Sequence, residues 1–105
     1  MNRFVLNSPV LTTYGLFRYE KIDLGQAKQF VALGFSSAIG HASTAAFLSA
    51  ILGVEIAVQR VAIEMAPGDQ ALVIRLLVRL PEGAILTPDE IAALPYEFGL
   101  LQRLE

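Results

Sequence analysis

The chain has 105 residues, enough for one compact domain and short for two. Its formal net charge of −2 and pI of about 5.3 argue against sequence-independent binding of long nucleic acid, which needs a broad basic surface, but leave room for a small anion held by local arginines. With no cysteine, a disulfide framework and thiolate metal sites are excluded, and a single histidine argues against a zinc set within one chain; no metal or other cofactor is expected.

Phe4-Val5-Leu6 reads as a first short strand, ended by Asn7-Ser8-Pro9 because proline cannot donate to a ladder. Tyr14 to Ile22 is a second extended stretch, rich in aromatic side chains. Asp23-Leu24-Gly25-Gln26 forms a capping box, predicting a helix to Leu33 with Ala27, Phe30, Val31 and Leu33 as its apolar stripe and Gly34 as its stop. A second helix begins near Ser43 and ends before Gly53, and has almost no polar face, which predicts burial from most directions.

Val54 to Met65 reads as a long strand, Ala66-Pro67-Gly68-Asp69 as a turn, and Gln70 to Leu80 as its hairpin partner. Thr87-Pro88-Asp89-Glu90 starts a short helix that ends before Pro95, and Tyr96 to Leu104 is a last strand. The fold class is α/β (α+β): one small domain over residues 1–105, with a mixed sheet of about five strands flanked by helices.

Hydrophobic residues make up 54% of the chain and charged residues 17%. Small domains bury a smaller share of their surface, so this excess predicts a homodimer; a simply hydrophobic core is the alternative. No apolar run reaches the roughly 18 residues of a membrane helix, and the first seven residues are too short and too soon polar for a signal peptide. A cytoplasmic protein with no membrane partner is expected.

In the strand from Gln70, period-two alternation places Ala71, Val73, Arg75, Leu77 and Arg79 on one face and Leu72, Ile74, Leu76, Val78 and Leu80 on the core face. Hairpin symmetry then sets Arg60 opposite Arg75. Like charges directly opposite destabilise a strand pair, so three guanidiniums on one face point to an anion between them. Neutralisation by Glu64 and Glu55 in surface ion pairs is the plainer alternative.

The lone histidine lies in Ser36-Ser37-Ala38-Ile39-Gly40-His41-Ala42-Ser43-Thr44, directly before an apolar helix. Exposed N–H groups at a helix start, with the Ser43 and Thr44 hydroxyls, suit a phosphate, and an imidazole beside them can protonate a leaving oxygen. Alternatively, Ser43 caps the helix and His41 is an ordinary loop residue. Glu82, in Leu80-Pro81-Glu82-Gly83, can orient or deprotonate a hydroxyl, or belong to a solvated turn; Asn7 is a turn former or a ligand contact. Without metal ligands, phosphodiester cleavage remains feasible for RNA, whose own 2′-hydroxyl attacks. The protein then supplies in-line geometry, cations and an acid. The same set suits a phosphate-binding module without turnover.

Ser37-Ala38-Ile39-Gly40-His41-Ala42-Ser43-Thr44 resembles the Ile-Gly-His-x-Ser/Thr-Thr signature of the viral anti-CRISPR ring nuclease family and its bacterial relatives. The similarity continues through Leu52-Gly53, Gln59-Arg60-Val61-Ala62-Ile63, Pro67-Gly68-Asp69-Gln70-Ala71-Leu72 and Arg79-Leu80-Pro81-Glu82-Gly83-Ala84-Ile85-Leu86-Thr87, in order along nearly the whole chain. Leu6-Asn7-Ser8-Pro9-Val10-Leu11-Thr12 resembles the opening of the bacterial members.

The resemblance implies a small α/β homodimer that binds cyclic tetra-adenylate, the second messenger of type III CRISPR systems, across its two-fold axis. It implies metal-independent cleavage to linear di-adenylate with cyclic phosphate ends. His41 matches the general acid, and Arg79 and Glu82 match an arginine and a glutamate of the active site. Arg60 and Asn7 match residues near the ligand, and Ser43 matches a hydroxyl of the histidine segment; Gly40, Thr44 and Arg75 are expected beside them. Viral members open with an Asn-Ala-Phe-Ser-type stretch whose serine contacts the ligand. Here Ser8, Thr12 or Thr13 stands in its place, and Arg75 stands where viral relatives can have glutamine.

Overall fold

The computed structural model describes residues 2–7, 13–78 and 87–105. β-branched and aromatic side chains suit a pleated, half-buried surface. They form β1 (Arg3–Leu6), β2 (Phe17–Ile22), β4 (Gln70–Leu76) and β5 (Tyr96–Arg103), with the two-residue β3 (Ser36–Ser37) joining the sheet as well. Strand order is β2-β5-β4-β1-β3; β1 runs parallel to both β3 and β4, and β5 is antiparallel to β4 and β2. The expected mixed five-stranded sheet is therefore present, in a single small domain. β3 was not expected: two serines carry no strand signature.

Helices α1 (Leu24–Ala32), α2 (Ala42–Leu52) and α3 (Pro88–Ala93) complete the described elements. The Asp23–Gln26 capping box forms: the Gln26 N–H donates to the Asp23 carboxylate at 2.8 Å, and the Asp23 N–H to the Gln26 side chain at 3.0 Å. Leu33, expected in the apolar stripe, is the C-cap instead and is exposed, because the helix ends one residue short of it. Thr87 and Glu90 make the equivalent reciprocal pair at the start of α3. No helix among the described residues is long and apolar enough to cross a membrane.

The expected hairpin is not formed. The turn exists, with the Asp69 N–H donating to the Ala66 carbonyl at 3.0 Å, but both edges of β4 are taken, one by β1 and the other by β5. The segment before the turn therefore cannot pair with β4. Its alternating apolar residues serve two layers. Ile56 packs into the core between the sheet and helices α1 and α2, with Val5, Phe30, Phe47, Leu48, Leu72, Ile74 and Phe98. Met65 packs on the opposite sheet face with Leu6, Ala71, Val73 and Leu101. Hence the two faces of β4 are both buried, where alternation alone gave it one core face. Phe47 is fully enclosed and meets Tyr96 edge-on at 5.4 Å; truncating such a ring costs about 3–5 kcal/mol.

α2 is also less enclosed than its composition suggested. Ala45, Phe47, Leu48 and Leu52 are buried, while Ala42, Ala46 and Ala50 face outward. The exposed stripe is short and methyl-sized, so it needs no polar residues to be tolerated in water.

Candidate functional site

The site is assembled by a strap. The Ser49 hydroxyl donates to the Ala45 carbonyl at 2.8 Å and accepts the Ile56 N–H at 2.9 Å, pinning the chain that leaves α2. The Ser37 hydroxyl then donates to the Ala57 carbonyl at 2.6 Å. One step further, the Gln59 N–H donates to the Ile39 carbonyl at 2.8 Å, beside a parallel bridge between Ile39 and Val58. These bonds lay residues 56–60 along residues 37–40 and deliver Arg60 to Gly40. The Arg60 Nε–H donates to the Gly40 carbonyl at 2.6 Å. A Cβ on residue 40 would lie 2.8 Å from Arg60 Cγ, so only glycine lets the arginine stem cross the chain there.

The next residue turns the chain into α2. His41 has extended backbone (φ −126°, ψ 118°) and is the N-cap. Its Nδ1 accepts the Thr44 backbone N–H at 3.3 Å, and the Thr44 hydroxyl oxygen lies 3.2 Å from the same nitrogen. The cap is thus neither Ser43 nor an empty nest of N–H groups. With Nδ1 turned to the helix, Nε2 is left on the far edge of the half-buried ring, with no hydrogen-bond partner among the described residues. Ser43 and Thr44 are 1% and 6% exposed, so their hydroxyls lie inside the helix start rather than on its surface.

An open cleft of about 580 Å³ is lined by Asn7, Ala38, Gly40, His41, Arg60, Val61 and Ala62. Four sequence-selected residues therefore meet: Asn7 at the end of β1, Gly40, His41 and Arg60. Ala38, Val61 and Ala62 were not foreseen; nothing marks them until the strap places them on the wall.

Arg75 does not join them. It pairs in register with Glu97 of β5 and lines a separate depression of about 70 Å³ with Tyr19, Lys21, Phe98 and Gly99. The proposed row of three guanidiniums on one strand-pair face is therefore corrected, since it depended on the hairpin that does not form. Arg79, Glu82, Ser8 and Thr12 lie outside the described residues.

Asp69, read only as a turn residue, is a buried clamp. Its carboxylate accepts the backbone N–H of Asn2 at 2.7 Å, that of Ala66 at 2.9 Å and the Asn2 side-chain amide at 3.4 Å. Burial on its own raises a carboxyl pKa. Here the donated hydrogen bonds from Asn2 and Ala66 outweigh it and hold Asp69 below its ordinary value. Among the described residues, no three histidine, aspartate or glutamate side chains converge as a metal would need.

Known proteins share this architecture. The STIV B116-like family model matches residues 3–98. The chain is 37% identical over 103 residues to the uncharacterized protein YddF of Bacillus subtilis (strain 168), covering 95% of each. It is 33% identical over 93 residues to the uncharacterized protein ORF117 of Acidianus two-tailed virus, covering 85% of this chain and 80% of the viral one. In solved structures, B116 of Sulfolobus turreted icosahedral virus superposes with a TM-score of 0.84 at 24% identity, over 98% of this chain and all of that one, a likeness of fold. The chain belongs to the STIV B116-like family, which has members in archaeal viruses and in a bacterium.

Proposed function

We propose that this protein is a metal-independent ring nuclease that binds cyclic tetra-adenylate as a homodimer and cuts it to linear di-adenylate with 2′,3′-cyclic phosphate ends, switching off type III CRISPR signalling. One observation carries the reading. The sole histidine is fixed by its Nδ1 at the rim of an open cleft, with Nε2 unpartnered among the described residues and an arginine on the same wall. The resemblance of the His41 segment to the ring nuclease signature supplies the substrate.

The chemistry is an internal transfer. The 2′-oxygen of one adenosine attacks the neighbouring phosphorus, the P–O5′ bond breaks, and a cyclic phosphate forms. His41 gives its Nε2 proton to the departing 5′-oxygen, and the 2′-hydroxyl proton leaves to Glu82 or water. Arg60, with Arg79, balances charge that grows on the phosphate oxygens. A two-fold dimer presents one histidine to each of two opposite phosphates, giving two cuts per ring.

A second reading, a protein that holds the same ligand without cutting it, is favoured by one feature: capping α2 already gives His41 a structural task. Incubation with cyclic tetra-adenylate in excess EDTA, followed by chromatography, separates them. Linear di-adenylate with cyclic phosphate ends is expected. Intact ligand with tight binding leaves sequestration, and no binding overturns both.

A further inference from the structure

We propose that Thr44 is a positioning residue for His41, its hydroxyl oxygen accepting a hydrogen bond from Nδ1–H when the imidazole is charged. The inference rests on the general-acid reading above. A neutral imidazole protonated at Nε2 is no useful acid, since giving up that proton would leave an imidazolate. The working acid is the imidazolium, which carries protons on both nitrogens and accepts nothing. In that state the α2 cap bond from the Thr44 N–H to Nδ1 cannot exist. That bond is long, at 3.3 Å, so giving it up sacrifices little.

Nδ1–H then needs an acceptor of its own. The Thr44 hydroxyl oxygen is 3.2 Å away, on a residue that is almost fully buried, so it is held in place beside that nitrogen. No carboxylate lines the cleft among the described residues. Thr44 therefore presents both partners to one nitrogen: a backbone donor for the unprotonated form and a hydroxyl acceptor for the protonated form. When Nε2 gives its proton to the 5′-oxygen, the ring becomes the neutral Nδ1–H tautomer with that hydrogen bond intact. The ring keeps one orientation through transfer, and a proton taken up at Nε2 from water restores the acid. Thr44 acts through His41 and does not touch the substrate.

Thr44→Val keeps the shape and removes the acceptor. With cyclic tetra-adenylate, kcat is expected to fall about 10- to 100-fold, as for a lost hydrogen bond to a charged group, with KM unchanged within about twofold. Thr44→Ser is expected to restore kcat to within about threefold. Because His41 is the sole histidine, ¹⁵N-resolved NMR reads its ring without ambiguity. At a pH where the ring is charged, a slowly exchanging Nδ1-bound proton is expected in the wild type and in Thr44→Ser, and its loss in Thr44→Val. Unchanged kcat in a folded Thr44→Val protein, a rise confined to KM, or no protected Nδ1 proton in the wild type would each overturn the proposal. If Thr44→Val does not fold, the wild-type NMR signal decides. A wild type that cleaves nothing sinks the nuclease reading, and the NMR result still decides the hydrogen bond.

Discussion

The two longer helices begin in opposite ways. α1 starts on Asp23, a side chain that accepts helix N–H groups well, and Gln26 completes a reciprocal box with normal hydrogen-bond lengths. α2 starts on His41, a residue outside the favoured set of caps, through a single long bond to the Thr44 N–H. A sequence tuned only for helix stability would place aspartate, asparagine or serine at position 41. The difference teaches where stability was given up: at a helix start that faces an open cleft. There a titratable ring gains a fixed orientation, and the helix gets a weaker cap.

Substitutions at the two starts break or sharpen that contrast. The largest effect is expected from His41→Asn, which supplies a better cap and removes the proposed acid. Cleavage should slow by about 10²–10⁴-fold in single-turnover assays. The Tm, read by calorimetry, should hold or rise. A falling Tm would mean that the imidazole serves the fold. Next comes Asp69→Ala, away from both helix starts, which removes a buried carboxylate that accepts two backbone N–H groups and should cost about 2 kcal/mol in urea unfolding. Because the folded pKa of Asp69 lies below its ordinary 3.8, its contribution is complete above that value and is lost as pH falls through the lowered folded value. Asp69→Asn should flatten the acid limb of the stability profile there.

A smaller change is expected at the cleft wall. Arg60→Ala, and Gly40→Ala through displacement of the arginine stem, should each weaken cyclic tetra-adenylate binding about tenfold by calorimetric titration. Equal affinity in both variants would remove the arginine from the ligand's surroundings. The smallest effect belongs to α1. Asp23→Ala should cost about 1 kcal/mol with cleavage rate unchanged, which marks that start as purely structural.

Much of the fold was legible because its signals are local. The Asp23–Gln26 and Thr87–Glu90 boxes, the Gly53 stop (φ +73°) and the strands flanking them depend on neighbours within a few residues. The hairpin failed for a nonlocal reason. A strong turn at Pro67-Gly68 and alternation on both sides satisfy every local rule, yet β1 and β5 occupy the partner edges of β4. Residues 54–65 alternate because they cross from one layer to the other. In the site, Gly40 and His41 could be singled out by chemistry and sequence context. Arg60 was selected both by the family resemblance and by a hairpin that does not form, and it arrives by another route, through Ser37, Ser49 and Ile39 acting on backbone groups. The two serine bonds leave no pattern in sequence, because serine bonds to backbone wherever geometry permits. Arg75 was misplaced by the same hairpin.

The claim that His41 delivers a proton to the leaving oxygen is tested most directly by changing that oxygen. A cyclic tetra-adenylate analogue with sulfur at the bridging 5′-positions has a leaving group that needs no acid. His41→Ala, slow on the natural ring, should cut this analogue at close to the wild-type rate. A deficit of the same size on both substrates would contradict the assignment of His41 as the acid.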